Sequence, residues 1–506
     1  MLDQISINAT SLNLMTLSPM LTAIGGALLI LLVDLFKGSL HKTLYVTLTM
    51  LILFVDMGAT YSLSINERGF FDLMLVDGIS VASQLIILLA SLLFIPLALT
   101  DRANRFHEYS YPEYFALFLF MVGGFQFMVS SDNLILIFLG LETGSLSLYT
   151  LIAMHNTDSS REAAVKYFTM GAMAAGFYLM GSAIMYALTG SVELYEIAKT
   201  LQVQDVTDAS VVLPMVGGAI MMLVAVGFKV SLFPFHMWTP DVYEGSTAPT
   251  AGYMSIVPKL AMMVVAMRFF DIFINFDIVS IQYLIITVSV LTMTLANMMA
   301  LVQKDVKRML AYSSISHAGF AMTALALGTT KADSSIFLYY ALFMTTNLGA
   351  FAMLWISRSK TRRFSDRYDH PFEKFSGMVG VSPTAAVVMA IFMLSLAGVP
   401  PFSLFWGKLY VISSVVDYAS ASGEVKYMVL AIVMALNSAI AAYYYLKLVV
   451  YMFLRSPGDK NRAVYANQSR ALNVSIGFMA TTVLLAIFYI QPLMDFITYL
   501  VSSSGY

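Results

Sequence analysis

Apolar residues run through this chain in long unbroken stretches, without the alternation or one-faced periodicity of soluble strands and helices. Fourteen such stretches lie near 14–35, 42–62, 77–99, 112–130, 132–153, 161–188, 211–237, 248–270, 278–301, 306–328, 333–357, 383–416, 427–454 and 471–500. Coiled as helices, runs of about 20 residues cross about 30 Å of hydrocarbon. The pattern predicts an all-α integral membrane protein with about 14 transmembrane helices. Two runs differ from the rest. Proline interrupts the seventh in SLFPFHMW (231–238) and the twelfth in GVPPFSLFWGK (398–408).

A helix broken inside a bilayer leaves free N–H and C=O groups, which survive only against protein or water. Breaks at corresponding places in two halves of a chain point to an inverted-repeat transport fold. SLFPFHMW and GVPPFSLFWGK alone join Pro-Phe to Trp in mid-membrane, and they lie five spans apart in order. An odd number of spans inverts the second copy. The expected organisation is an N-terminal three-helix segment (1–110), a first five-helix repeat of spans 4–8 (111–270), a second repeat of spans 9–13 (271–456) and a C-terminal span (457–506).

Composition agrees. Of 506 residues, 59% are hydrophobic and 11% are charged, against about a quarter charged in soluble domains. No cysteine is present, which excludes disulfides, thiolate-held iron–sulfur clusters and a cysteine nucleophile in this chain. The six histidines lack metal-ligand spacing, and no Gly-rich phosphate loop follows a strand pattern. Loop charge sets the orientation. With the N-terminus outside, 18 lysines and arginines fall in inner loops and 5, Arg268 among them, in outer loops. Both termini are then expected on the outer side. The longest inner loop, 358–375, is polar and basic and reads as a topology anchor or a partner-docking surface.

Charges remain within the apolar runs, where each costs about 2.5–3.5 kcal/mol. Glu142 lies near the centre of the fifth span and Lys259 near the centre of the eighth, while Lys229 and Lys408 flank the two proline breaks. These positions are too deep for easy snorkelling. Lys166 and Lys447 lie nearer inner span ends, where snorkelling suffices; Asp34 is near a span end and Asp56 is deeper. A glutamate about 7 Å from a lysine interacts with it by ~2.4 kcal/mol at an effective dielectric near 20. Moving that carboxylate therefore switches the lysine between holding and releasing its proton. His236 and His317 sit in polar parts of apolar runs, where a histidine relays protons or is held structurally. Ser313, Ser314 and Ser316 supply hydroxyls beside His317; Tyr443, Tyr444 and Tyr445 relay or pack.

Three strings, GFKVSLFPFHMWTPDVYEGSTAPT (227–250), KRMLAYSSISHAGF (307–320) and GVPPFSLFWGK, resemble the antiporter-like membrane subunits of respiratory complex I. The resemblance covers the fourth through thirteenth spans. It implies a fourteen-helix fold with two inverted five-helix repeats in a proton-pumping NADH:quinone oxidoreductase. It casts Glu142 and Lys229 as the coupling pair, puts Lys259 on a central hydrophilic axis, Lys408 towards the exit and His317 near the path. Lys166 and Lys447 match basic family positions. The resemblance implies no cofactor in this chain, with NAD, FMN, iron–sulfur clusters and quinone in the rest of the complex. Its partners would be other membrane and peripheral subunits, including sibling antiporter-like subunits, and the lipid bilayer, with no nucleic acid. A bacterial inner membrane is the expected location. FSLF after Pro400-Pro401 and STAPT at 246–250 depart from the usual family wording without removing a titratable group. A subunit of a multi-subunit cation/proton antiporter, which shares this fold, is the rival reading. A scaffold without transport would have no use for the buried charges.

Overall fold

The computed structural model describes residues 12–37, 41–99, 111–204, 208–276, 278–359, 370–456, 463–465 and 470–504. Most of the basic loop 358–375 lies outside them. The chain opens with α1 (Ser18–Lys37) and α2 (Lys42–Tyr61), joined to α3 (Gly78–Phe94) through an antiparallel hairpin of β1 (Glu67–Gly69) and β2 (Met74–Val76), with Glu67 opposite Val76. Then come α4 (Pro112–Val129), α5 (Leu134–Met154), α6 (Asp158–Thr189), the short α7 (Leu194–Gln202), α8 (Ala209–Val230), α9 (Trp238–Gly245), α10 (Ala248–Met254) and α11 (Val257–Asn275). The remainder is α12 (Val279–Leu301), α13 (Val306–Leu325), α14 (Thr330–Ile356), β3 (Ser357–Ser359), α15 (Met378–Val381), α16 (Pro383–Ala397), α17 (Ser403–Ser422), α18 (Val425–Leu454), β4 (Ala463–Tyr465), α19 (Arg470–Leu484) and α20 (Ala486–Ser502). Strands β3 and β4 pair antiparallel.

Among the described residues, ten helices are long and apolar enough to cross a membrane. The expected fourteenth span is α19 and α20, which meet at 83°. The eighth and tenth expected spans, α11 and α13, are helices carrying more polar and charged residues than a lipid-facing span carries, and both are buried along most of their length. Protein, not lipid, surrounds them. Among those ten helices α14 is the most enclosed.

Both expected breaks are present, and they are one turn built twice. α8 stops at Ser231 (φ 69°) and α16 at Gly398 (φ 82°), both left-handed. One residue on, Leu232 N–H donates to Gly227 O at 2.7 Å and Val399 N–H donates to Leu394 O at 3.1 Å, the capping bond of a helix C-terminus. A cis proline follows each, at Phe233–Pro234 and Pro400–Pro401. Ser231 holds this backbone without the freedom of glycine. Its hydroxyl accepts a hydrogen bond from Thr239 across the break at 2.7 Å.

A second motif also recurs. Asn133 caps the start of α5 and bridges Glu193; Asp305 caps the start of α13 and bridges Pro371. In each, the residue after the cap donates back across the bridge, Leu134 N–H to Val192 O (2.8 Å) and Val306 N–H to His370 O (2.8 Å). The return bonds are Leu194 N–H to Asp132 O (2.9 Å) and Phe372 N–H to Lys304 O (3.2 Å).

Two further features depart from the sequence reading. The eighth span is itself interrupted, since α10 ends before Ser255 and α11 starts at Val257 with Pro258 in its first turn. Lys259 therefore stands at a helix start rather than mid-helix. Arg268, assigned above to an outer loop, lies within α11 at 2% exposure. Its guanidinium grips Asp77 with two bonds of 2.7 and 2.8 Å. Such a pairing is what permits an arginine to be buried.

Candidate functional site

α5 carries the first half of the site. It sinks onto α4 where Gly140 and Gly144 meet Gly124; a Cβ on Gly124 would come within 2.5 Å of Gly144 N. Glu142 lies between those glycines and is half-buried. One and two turns further on, Ser145 and Tyr149 face α8. There Lys229, 4% exposed in the last turn of α8, donates to Ser145 Oγ at 2.6 Å and to Tyr149 OH at 3.3 Å. Ser145 in turn donates to Leu141 O at 2.5 Å. The ammonium also lies 5.5 Å from the ring centres of both Tyr149 and Tyr167, within cation–π range. Tyr167 stacks on Trp238 at 4.4 Å, and Trp238 Nε1 crosses the break to donate to Phe228 O at 3.0 Å. The hydrogen-bond acceptors of the ammonium are thus hydroxyls, and Glu142 lies one turn before Ser145 on the same helix.

Lys259, 1% exposed, donates to Ser314 of α13 at its carbonyl oxygen (3.0 Å) and hydroxyl (3.3 Å). Three residues later on α13, His317 is bracketed by two tyrosines. Tyr339 OH of α14 hydrogen-bonds Nδ1, and Tyr445 OH of α18 lies 3.0 Å from Nε2. Tyr445 OH also hydrogen-bonds Ser313 Oγ. A neutral imidazole donates through one nitrogen and accepts through the other, so this line can hand a proton along in either sense. Lys408, 6% exposed on α17, reaches back over the second break to donate to Leu396 O (3.0 Å) and Ala397 O (3.3 Å), the closing carbonyls of α16. An ammonium is favourable at that negative helix end. A narrow cavity lined by His317, Tyr339, Lys408 and Asn437 joins this lysine to the histidine.

The structure thus places Glu142 one turn before Ser145 on the helix that holds Lys229, joins Lys259 to Ser314 of α13, and sets His317 and Lys408 on one cavity. The other sequence candidates lie apart. Lys166 is half-exposed and pairs with Glu162 (2.8 Å) and Asp241 (3.4 Å). Asp241 and Glu244 also pair with Arg308, at 3.1 and 2.5 Å. Lys447 donates to Gln303 O at 3.4 Å and lies over Phe372 at 4.4 Å. His236 is half-buried at the first break beside Phe233, with Nδ1 buried and lacking a hydrogen-bond partner among the described residues. Asp417, in the same helix as Lys408, pairs with Lys331 instead. Ser145, Tyr149, Tyr167 and Tyr339 were not legible as site residues, since serine and tyrosine in a helix carry no signal of what crosses them.

Buried ammonium groups at two identical helix breaks define a class, membrane proteins that carry cations or protons through discontinuous helices. Comparison with known proteins narrows it. The profile of the family described as NADH:quinone oxidoreductase/Mrp antiporter, transmembrane, matches residues 131–435. The NADH-quinone oxidoreductase subunit N of Sulfurovum sp. (strain NBC37-1) is 62% identical over 506 residues, covering 100% of both chains. A chain in the structure of respiratory complex I from Thermus thermophilus with bound aureothin superposes with a TM-score of 0.76 at 26% identity, over 94% of this chain and 98% of that one. A chain of the Mrp complex from Dietzia sp. DQ12-45-1b gives 0.80 at 17% identity over 97% of each, a likeness of fold alone. The chain belongs to the NADH-quinone oxidoreductase subunit N family.

Proposed function

We propose that this chain is a proton-translocating membrane subunit of a respiratory NADH (or related donor):quinone oxidoreductase, moving protons outward through Glu142, Lys229, Lys259, His317 and Lys408. One observation carries the assignment of residues. Lys229, Lys259 and Lys408 donate these hydrogen bonds to neutral oxygens, hydroxyl or carbonyl, rather than to a fixed carboxylate. An ammonium so held can lose its proton without stranding a buried anion. Glu142, close but not in contact, then acts as the movable charge that decides when Lys229 lets go. Redox energy released in other subunits would shift that balance, and protons taken up from the inner side would pass by way of Lys259 and His317 to Lys408. NAD, FMN, iron–sulfur clusters and quinone would reside in those other subunits, since this chain has no cysteine to hold a cluster. Partners would include sibling antiporter-like subunits, and the membrane a bacterial inner membrane with both termini outside. The paired breaks and the paired cap-and-bridge motifs support a division into repeats at 111–270 and 271–456.

The test is Lys229→Ala in sealed inverted membranes, with donor-to-quinone turnover, proton uptake and assembly measured on one preparation. Loss of turnover and uptake in an assembled complex is the expected result. A second reading, a cation/proton antiporter subunit, draws on the likeness to the Mrp fold. It would be favoured if electron transfer were untouched and only gradient-driven exchange were lost.

A further inference from the structure

Tyr149 has a place prepared for it. α6 passes its hydroxyl at Gly171, and a single Cβ there would come within 2.1 Å of Tyr149 OH and 3.0 Å of its Cζ. The next atom, on Phe228, is 3.8 Å away. Glycine at 171 therefore does not admit a neighbouring backbone, as Gly124 does; what it admits is this one hydroxyl. The ring below it is clasped edge-on by Tyr167 at 4.6 Å, and the hydroxyl points at Lys229 Nζ. A tyrosine used only for packing needs neither the notch nor the ammonium.

We infer that Tyr149 is a positioning residue for Lys229, holding the ammonium on a neutral berth with Ser145 and away from Glu142, and that Gly171 exists to seat its hydroxyl. This rests on the proposed function. The berth combines one hydroxyl from each of two successive turns of α5 with two ring faces. Glu142, one turn back on the same helix, competes with it for the same cation. Two alternative sites on one helix for one side chain make a two-position device, in which the charge state of Glu142 selects the position.

The experiment uses the whole complex in sealed inverted membranes, comparing Tyr149→Phe, Gly171→Ala, their double variant and Lys229→Ala. Tyr149→Phe keeps the ring and loses the hydroxyl, and should lower proton uptake about threefold. It should also displace the pH profile of uptake, which a packing role would leave in place. Gly171→Ala drives the hydroxyl off the lysine and should cost about tenfold. In the double variant the closest contact relaxes to the 3.0 Å of Cζ, so uptake should recover to the level of Tyr149→Phe alone. If Gly171→Ala prevents assembly, recovery of assembly in the double variant reads the same relation. Wild-type uptake in Gly171→Ala, or losses that multiply in the double variant, overturns the inference. So does an unmoved pH profile in Tyr149→Phe. Uptake retained in Lys229→Ala would instead overturn the functional reading itself.

Discussion

Two buried cations in this protein are held in opposite ways. Arg268 meets Asp77 fork to fork at 2.7 and 2.8 Å and adds Val129 O at 3.2 Å. Asp77 meanwhile caps α3 by accepting from Ser80 N–H at 2.8 Å. This pair ties neighbouring ends of α3, α4 and α11 together, and a guanidinium does not give up its proton. Lys229, Lys259 and Lys408 are as deeply buried, yet their hydrogen bonds end on hydroxyls and carbonyls. On the proposed function, the difference separates charge used to fasten, an arginine with a carboxylate in contact, from charge used to move protons, a lysine on neutral acceptors.

The sharpest way to break that comparison is at the fastened end. Arg268→Ala leaves Asp77 charged and buried, and should destabilise the subunit by about 3–5 kcal/mol. The loss would be read as the fraction of complex surviving mild heating in detergent; unchanged survival would remove the distinction. At the other end, Lys229→Arg preserves charge but not a releasable proton, so uptake should fall about a hundredfold in an assembled complex. Near-normal uptake would mean that position 229 needs only a charge. A finer comparison lies among adjacent tyrosines. Tyr445→Phe removes the hydroxyl shared by Ser313 and His317 and should reduce uptake about threefold. Tyr443→Phe, at 64% exposure, should change nothing measurable. The smallest effect is expected for Lys166→Ala. Its two ion pairs are half-exposed and worth about 0–1 kcal/mol, so uptake should stay within about a factor of two. A larger loss would move Lys166 from the rim of the site into it.

The breaks at Pro234 and Pro401 were legible because proline and lysine are rare in an apolar run, and each marks its own position. The interruption before Lys259 was missed, although Pro258 was there to signal it, because the run 248–270 is apolar enough to read as one continuous span. Arg268 was misplaced for a related reason. It sits near the end of an apolar run, and its partner Asp77 is 191 residues away. The three tyrosines at 443–445 also could not be ranked. Each residue turns the helix by about 100°, and only the packing of α18 points Tyr445 at His317, Tyr444 at Asn297 and Tyr443 outward.

By itself the sequence determined that this is a helical membrane protein, where two of its helices break at proline and that Glu142, Lys229, Lys259 and Lys408 carry charge into apolar runs. Those are local properties, since the cost of inserting a charge or losing a backbone donor is incurred within one span. The tertiary structure alone decided what holds each charge. Lys229 finds its serine 84 residues away and Lys259 finds its own 55 away, and a hydrogen bond forms only when two elements bring their atoms within about 3 Å. On the proposed function, whether a buried cation fastens or moves protons depends on that partner, and the partner comes from packing, with α5 and α8 both lying against α6 and α11 against α13.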